Sequence, residues 1–457
     1  MDATDLAFAG LARQAALIRS GEAGSRELVE LCLRRIEALE PRLNAFRTVF
    51  ADRALAEAAQ ADGRRGAGEE RPLLGVPVAI KDDCDVAGDV TGHGSNAFDG
   101  AAAADAELVR RLRRAGAIVI GKTHVPELEI IPATESAAWG TTHNPWDLGR
   151  TPGGSSGGTA AAVAAGMVGG GLGSDGGGSI RIPAGCCGLF GIKPQRNRVP
   201  VAPRVRTWKG LSVFGPITRT VADAALFLDV TADGGGRFAA AAARAPERLR
   251  IASSTKLPLP IVARPDEEQR GAVARVAERL RALGHTVQER DPDYGNLITW
   301  FTIRYLRGIR EDAQAAPHPR RLARRTRGYA RLGAAYPDAL LRRALAAEAE
   351  DRERLRRSLE GYDALLTPMF TRRPVPIGEW EGRGALWTFN GNARWVPYCA
   401  AWNHTGQPAA SVPAGLTADG FPLAVQIVGR PDGEETLLSL AAQLEAEFDW
   451  PSLRPPL

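Results

Sequence analysis

Residues 151–181 restrict this chain more than any other stretch, because two serine-bearing glycine clusters there frame a short apolar run. The first cluster reads Thr-Pro-Gly-Gly-Ser155-Ser-Gly-Gly and the second Gly-Ser-Asp175-Gly-Gly-Gly-Ser179-Ile-Arg. Ser155 and Ser179 lie 24 positions apart (179 − 155). The run from Ala160 to Gly173 predicts a helix that carries the chain from one cluster to the other, followed by a tight glycine-rich return. Glycine at this density costs backbone entropy, and it suits places where peptide groups approach a ligand or adopt positive φ. Across residues 175–179 successive bare N–H groups can converge on one point and bind negative charge. A serine at that point can attack a carbonyl while the same N–H groups hold the oxyanion that forms. A flexible linker has a similar composition, but Ile180, Ile182, Pro183, Leu189, Phe190 and Ile192 follow at once and read as buried structure.

The remainder of the chain reads as alternating helices and strands. Residues 1–62 are expected to be helical: Leu28, Leu31, Cys32, Ile36 and Leu39 form an apolar stripe after a Ser25 cap, Pro41 ends that helix, and Ala51 to Asp62 form another. Gly63–Arg71 reads as an exposed loop. Val78 to Ile80 is a buried strand ending at Lys81, Leu108 to Leu112 a helix, and Ala117 to Ile120 a further strand. Such alternation implies an α/β sheet with helices on its faces. Later segments repeat the pattern: a helix over Val221–Val230, strands at 249–253 and 286–289 bracketing a helix over 267–283, helices across 296–360, strands at 364–366 and 424–428, and a last helix over 435–448. With 44% apolar residues and no internal repeat or long linker, residues 1–457 are expected to form one α/β/α domain around a large mixed central β-sheet covered by helices on both faces. Within it, 1–62 are N-terminal helices, 73–230 the catalytic core segment and 296–360 a helical segment on the substrate side.

Composition narrows the function class. A net charge of +5 with interspersed signs is too small for this length to argue nucleic-acid binding. No 18-residue apolar run is present and the first residues lack a secretory signal, so neither a membrane span nor export is expected. The five cysteines, at 32, 84, 186, 187 and 399, match no zinc spacing and read as reduced thiols of a cytoplasmic protein. No metal or cofactor is implied. Lysine occurs only at 81, 122, 193, 209 and 256, so 53 of the 58 cationic residues (58 − 5) are arginine. Arginine serves as a surface charge but does not release its proton near neutral pH, which makes Lys81, at a strand end, a candidate titratable amine. Asp82, Asp83 and Asp85 beside it would oppose that role unless they point elsewhere. His143, in the turn-forming stretch 140–147, is expected to bond backbone rather than to act as a base.

These motifs together resemble the amidase signature family. Gly75-Val-Pro-Val-Ala-Ile-Lys81-Asp82, Asn144-Pro-Trp-Asp, Gly153-Gly-Ser155-Ser-Gly-Gly158, Gly177-Gly-Ser179-Ile-Arg181-Ile-Pro183, Gly191-Ile-Lys-Pro194, Leu366-Thr-Pro368 and Val425-Gln-Ile-Val-Gly-Arg430 carry the likeness over nearly the whole chain. The resemblance implies an amidase fold and a Ser-cisSer-Lys arrangement. Ser179 corresponds to the nucleophile, Ser155 to a serine reached through a cis peptide, and Lys81 to the terminal base. The backbone N–H groups of Gly176, Gly177, Gly178 and Ser179 correspond to the oxyanion hole. Ser156 is a supporting residue, and Asp175 and Arg181 are expected to brace the glycine loop as an ion pair. The family usually carries threonine where Ser174 and Gly176 stand here, and Gly176 removes a side chain beside the nest.

The resulting expectation is hydrolysis of a carboxylic amide to the acid plus ammonia or an amine through a Ser179 acyl-enzyme. Trp395, Tyr398 and Trp402 are expected to wall the pocket, with Trp300, Tyr305, Trp387 and Phe389 as further aromatic candidates. The expected partner is a small-molecule amide, and a homodimer is compatible with the sequence. Three other readings compete: the glutaminase subunit of a tRNA-dependent amidotransferase, an aryl-acylamidase or esterase-like hydrolase, and a catalytically silent binding module.

Overall fold

Alternation within single strands sets the architecture. In the strand Pro77–Lys81, Val78 and Ile80 enter one hydrophobic core and Ala79 another; in Ile118–Thr123, Val119 joins the first and Ile118 and Ile120 the second. Residues two apart share a sheet face, so one sheet separates two cores. The computed structural model describes residues 2–204 and 207–457. Among them, eleven strands form a mixed sheet in the order Phe46–Val49, Ile118–Thr123, Pro77–Lys81, Gly170–Asp175, Val213–Thr218, Phe190–Lys193, Ala409–Leu416, Pro422–Gly429, Ala364–Pro368, Arg250–Ser253 and Thr286–Glu289. Pro77–Lys81 runs parallel to both its neighbours, whereas the centre from Gly170–Asp175 to Ala364–Pro368 is antiparallel throughout.

Helices Glu107–Arg114, Val221–Thr231, Glu267–Ala282 and Glu434–Phe448 close the first core. Gly157–Ala164, Arg181–Cys186 and Leu297–Ala315 cover the second. The expected mixed sheet with helices on both faces is therefore the observed fold. Among the described residues no helix is long and apolar enough to cross a membrane.

Several local expectations change. The N-terminal region is not wholly helical: Phe46–Val49 is an edge strand paired antiparallel with Ile118–Thr123, in keeping with its β-branched and aromatic residues. The helix Ser25–Leu43 passes through Pro41, which lies in its last turn, and ends at Asn44, whose left-handed backbone donates its N–H to Glu40. Ser25 is not the cap. It is the first helical residue, and its hydroxyl donates to the Gly75 carbonyl at 2.8 Å, tying this helix to the strand that ends at Lys81. The next helix, Ala51–Gly66, consumes the first part of the predicted loop.

Most consequential is the segment between the two glycine clusters. The helix occupies only Gly157–Ala164, and Gly170–Asp175 is a central strand rather than a helix end and turn. Glycine is needed there for close packing: a Cβ at Gly171 would come 2.7 Å from Thr159 Cγ2 on that helix. The glycines let the helix lie flat against the strand that follows it.

Candidate active site

Two neighbouring parallel strands deliver their C-terminal ends to one place. Pro77–Lys81 ends in Lys81, and Gly170–Asp175 ends in Ser174 and Asp175. Lys81 is fully buried, and its Nζ donates to Ser155 Oγ at 2.7 Å and to Ser174 Oγ at 2.7 Å. The Gly154–Ser155 peptide is cis. Ser179 is nine-tenths buried and borders the same small cavity as Ser155 and Ser174. The structure thus brings together Lys81, Ser155 and Ser179, which are far apart in sequence. Ser156 stands behind them, its hydroxyl donating to the Ser174 carbonyl at 3.2 Å and its N–H to the Ser179 carbonyl at 3.3 Å.

The two aspartates next to Lys81 divide. Asp82 turns away to Lys122 at 2.9 Å and Arg47 at 2.8 Å. Asp83 does not point elsewhere: its Oδ2 lies 3.4 Å from Lys81 Nζ and accepts a short hydrogen bond from Ser174 Oγ. Burial works against its charge, but Lys81 and the Ser174 hydroxyl outweigh it and hold the carboxyl below the usual range. Lys81 is therefore flanked by two hydroxyls and one carboxylate.

Asp175 organises the glycine loop. Its Oδ1 accepts from Gly178 N at 2.7 Å and Asn403 Nδ2 at 2.8 Å, and its Oδ2 accepts from Ile180 N at 3.2 Å. Arg181 completes the bracing, donating Nε to Oδ2 and Nη2 to Oδ1, each at 2.9 Å. Both side chains are fully buried. Burial alone would neutralise Asp175, yet Arg181 dominates and drives its carboxyl far below the usual range. Arg181 also reaches Gln426 Oε1 at 2.7 Å and Asn403 Oδ1 at 2.6 Å. The ion-pair expectation for 175 and 181 describes this geometry.

The expected oxyanion donors need one correction. The N–H of Gly178 is committed to Asp175 and faces into the loop, so it is not available to a ligand. Gly178 has φ +127°, and a Cβ would come 2.6 Å from Ile182 Cδ1, so glycine is required to make this turn. The N–H groups of Gly176, Gly177 and Ser179 have no acceptor among the described residues. Gly176 also has a packing reason: Trp208 lies flat against it, and a Cβ there would meet Trp208 Cε3 at 2.6 Å. The space that a threonine would fill is taken by an indole.

The expected aromatic walls are largely wrong. Ser179 opens into a cavity of about 100 Å³ whose aromatic lining is Trp208, Phe301, Tyr305 and Phe389. Trp395, Tyr398 and Trp402 do not line it. Trp395 packs between Phe370 and Trp380, Trp402 lies against Tyr294, and the Tyr398 hydroxyl donates to the Thr255 carbonyl at 2.9 Å. All three are core residues, drawn inward because large aromatic surfaces gain most from complete burial. Trp387 is exposed, and Trp300 stacks under Arg343. Tyr305 and Phe389 were legible as candidates; Trp208 and Phe301 were not, although Phe301 and Tyr305 stand four apart on one helix and stack at 5.6 Å. His143 bonds the Leu148 carbonyl at 2.7 Å, as a turn histidine should.

A family model described as Amidase matches residues 27–438. "Putative amidase AmiB2" of Mycobacterium tuberculosis (strain ATCC 25618 / H37Rv) is 52% identical over 459 residues, covering 100% of this chain and 99% of that protein. The 6-aminohexanoate-cyclic-dimer hydrolase of Paenarthrobacter ureafaciens is 34% identical over 488 residues, covering 97% and 96%. A solved structure of 6-aminohexanoate cyclic dimer hydrolase complexed with substrate superposes with a TM-score of 0.89 at 30% identity, covering 98% of this chain and 99% of that one.

Proposed function

Given that the chain belongs to the amidase family and is an amide-bond hydrolase, we propose that it cleaves its amide through an acyl-enzyme on Ser179. Ser179 Oγ attacks the amide carbonyl while its proton passes to Ser155 Oγ and the Ser155 proton to Lys81 Nζ. The oxyanion is held by the N–H groups of Gly176, Gly177 and Ser179, worth roughly 3–4 kcal/mol per well-placed donor. Collapse of the tetrahedral intermediate breaks the C–N bond, and the relay returns its proton to the departing amine. Water then repeats the sequence on the ester, releasing the acid and restoring Ser179.

Asp83 and Ser174 supply what this relay needs on its far side. Asp83 Oδ2, 3.4 Å from Lys81 Nζ, works against the neutral amine that accepts the proton, as expected from the sequence, and in return gives the protonated amine its counter-charge. The observation that carries the reading is the 2.7 Å contact from a fully buried lysine to Ser155 at the cavity that Ser179 borders. The five buried, unbridged cysteines support a reducing compartment, and on that ground the enzyme is read as cytoplasmic.

The test is ammonia release from a panel of aliphatic, aromatic and amino-acid amides by wild-type, Ser179→Ala, Ser155→Ala and Lys81→Ala proteins. Activity in the wild type, its loss in Ser179→Ala, and covalent labelling of Ser179 by a fluorophosphonate are expected. Retained hydrolysis by Ser179→Ala overturns the mechanism. An absence of labelling in the wild type returns the reading to a silent binding module.

A further inference from the structure

The cavity beside Ser179 is mostly apolar, with Glu129, Thr302 and Asn392 as polar side chains in its lining. Ile130, Ile131, Phe301 and Phe389 are among its walls, and Glu129 is the one charged side chain among its described lining residues. Glu129 is 8% exposed. It borders this cavity and also the smaller one that holds Ser155 and Ser174, and Ser179 borders both as well. The carboxylate therefore stands where the two spaces meet, next to the proposed nucleophile.

His93 and Arg204 are its polar neighbours. Arg204 Nη2 contacts His93 Nε2 at 2.6 Å, and an arginine can only donate, so Nε2 accepts and the proton sits on Nδ1. His93 Nδ1–H then donates to Glu129 Oε1 at 3.1 Å. The imidazole orients the carboxylate, and the Arg204 guanidinium beyond it takes its largest electrostatic support from Glu129, with Asp83, Asp312 and Asp85 sharing the same cation, so Glu129 is compensated only in part. The second oxygen, Oε2, has no hydrogen-bond partner among the described residues. Leu128 (φ 50°) and Glu129 (φ 57°) are both held in the left-handed region, which non-glycine residues rarely adopt, and strain of this kind gathers at functional positions. A carboxylate only partly compensated, with one oxygen open to a mostly apolar cavity, favours a charged donor there.

We infer that the substrate is the amide of an apolar amino acid with a free α-amino group, whose ammonium is bound by Glu129. This rests on the Ser179 reading, because the amine must lie beside the carbonyl that Ser179 attacks, and a group bonded to the α-carbon is so placed. Ile130, Ile131, Phe301 and Phe389 along the cavity suit an apolar side chain on that α-carbon, such as leucine's.

The experiment compares leucinamide with 4-methylpentanamide, the same molecule without the amine. Wild-type kcat/KM at pH 7 is expected to favour leucinamide by about 10- to 150-fold, the range of one hydrogen bond to a charged group. In Glu129→Gln that ratio falls to near unity, chiefly through KM. Binding of leucinamide to Ser179→Ala, followed by calorimetry, should weaken by the same factor on adding Glu129→Gln. It should also weaken above pH about 8, where α-amines lose their proton. His93, Arg204, Lys81, Asp83 and Asp312 are the other titratable groups around Glu129. Binding of 4-methylpentanamide over the same pH range reports them, so only the difference between the two curves belongs to the ligand amine. A wild-type preference for 4-methylpentanamide, an unchanged ratio in Glu129→Gln, or identical pH curves for the two ligands overturns the inference. Hydrolysis of leucinamide by Ser179→Ala instead overturns the nucleophile and leaves the binding comparison in force.

Discussion

Replacing Asp175 by asparagine tests the core of the site. Five donors converge on this carboxylate at 2.7–3.2 Å: Gly178 N, Ile180 N, Arg181 Nε and Nη2, and Asn403 Nδ2. An amide of the same shape removes the negative charge and turns one acceptor into an NH2 group that faces other donors. Arg181, fully buried, is left as a cation without its counter-ion. Breaking a buried pair in this way costs roughly 3–5 kcal/mol. Urea unfolding at pH 7 reads the loss as a lower midpoint at constant slope. Asp175→Leu combined with Arg181→Met removes both charges but leaves Gly178 N, Ile180 N and the side chains of Asn403 and Gln426 without their partners, so it should end above the worse single mutant yet well below wild type. Activity should not return with it, because Gly178 and Ile180 lose the acceptor that fixes the loop. The pH dependence has a definite sign. The folded-state pKa of Asp175 is depressed, so its contribution is present above the unfolded value of roughly 3.9 and is lost as pH falls below it. The stability gap between wild type and Asp175→Asn must therefore narrow on acidification below about pH 4. A single-mutant cost under about 1 kcal/mol, or a double mutant no more stable than the worse single, would refute the argument.

Two further outcomes follow from packing and burial. Gly176→Ala places a Cβ 2.6 Å from Trp208 Cε3 and should cost about 1–3 kcal/mol by overpacking, a cost that Trp208→Leu relieves in a double-mutant cycle; additive effects would show that the indole is not what excludes the side chain. Burial, aided by nearby Asp223, raises the Glu445 carboxyl to about 7, so its contribution is fully present below the unfolded value of roughly 4.3 and is lost as pH rises towards 7. Glu445→Gln should flatten that decline, on the order of 2 kcal/mol, in unfolding curves taken from pH 4 to 8, and an unchanged slope would exclude Glu445 as its source.

The sequence was legible where one physical requirement dominated. The alternation of strands and helices sufficed for the sheet and the density of glycine for the loop about Ser179, whereas the grouping of Lys81 and Ser155 with Ser179 came from the resemblance of their motifs to the amidase signature family. The scarcity of lysine also carried information: Lys81, Lys122 and Lys193 are fully buried. Burial lowers the Lys193 amine to about 7, and it donates to the Pro194 carbonyl at 2.9 Å. What stayed hidden depended on side-chain direction. Nothing in Lys81-Asp82-Asp83 distinguishes the aspartate that faces Lys122 from the one that faces Lys81, because that is settled by the strand's pleat and its end. Trp395 and Trp208 are equally aromatic in sequence, yet one is packed between Phe370 and Trp380 and the other roofs Gly176. Glu129 did leave a trace, as an acid inside the run Leu128-Glu129-Ile130-Ile131, where a charge has no reason to sit unless something is offered to it.

The reach of Arg181 has a consequence for how the enzyme comes into being. Its guanidinium is clothed by Asn403 and Gln426, residues more than 200 positions downstream. On a ribosome the serine loop emerges early, but the groups that complete it emerge near the end of synthesis. Every nascent or truncated chain ending before Gln426 carries the Ser179 loop without the full set of partners that hold Arg181, so the loop's bracing is completed only when the chain is nearly whole.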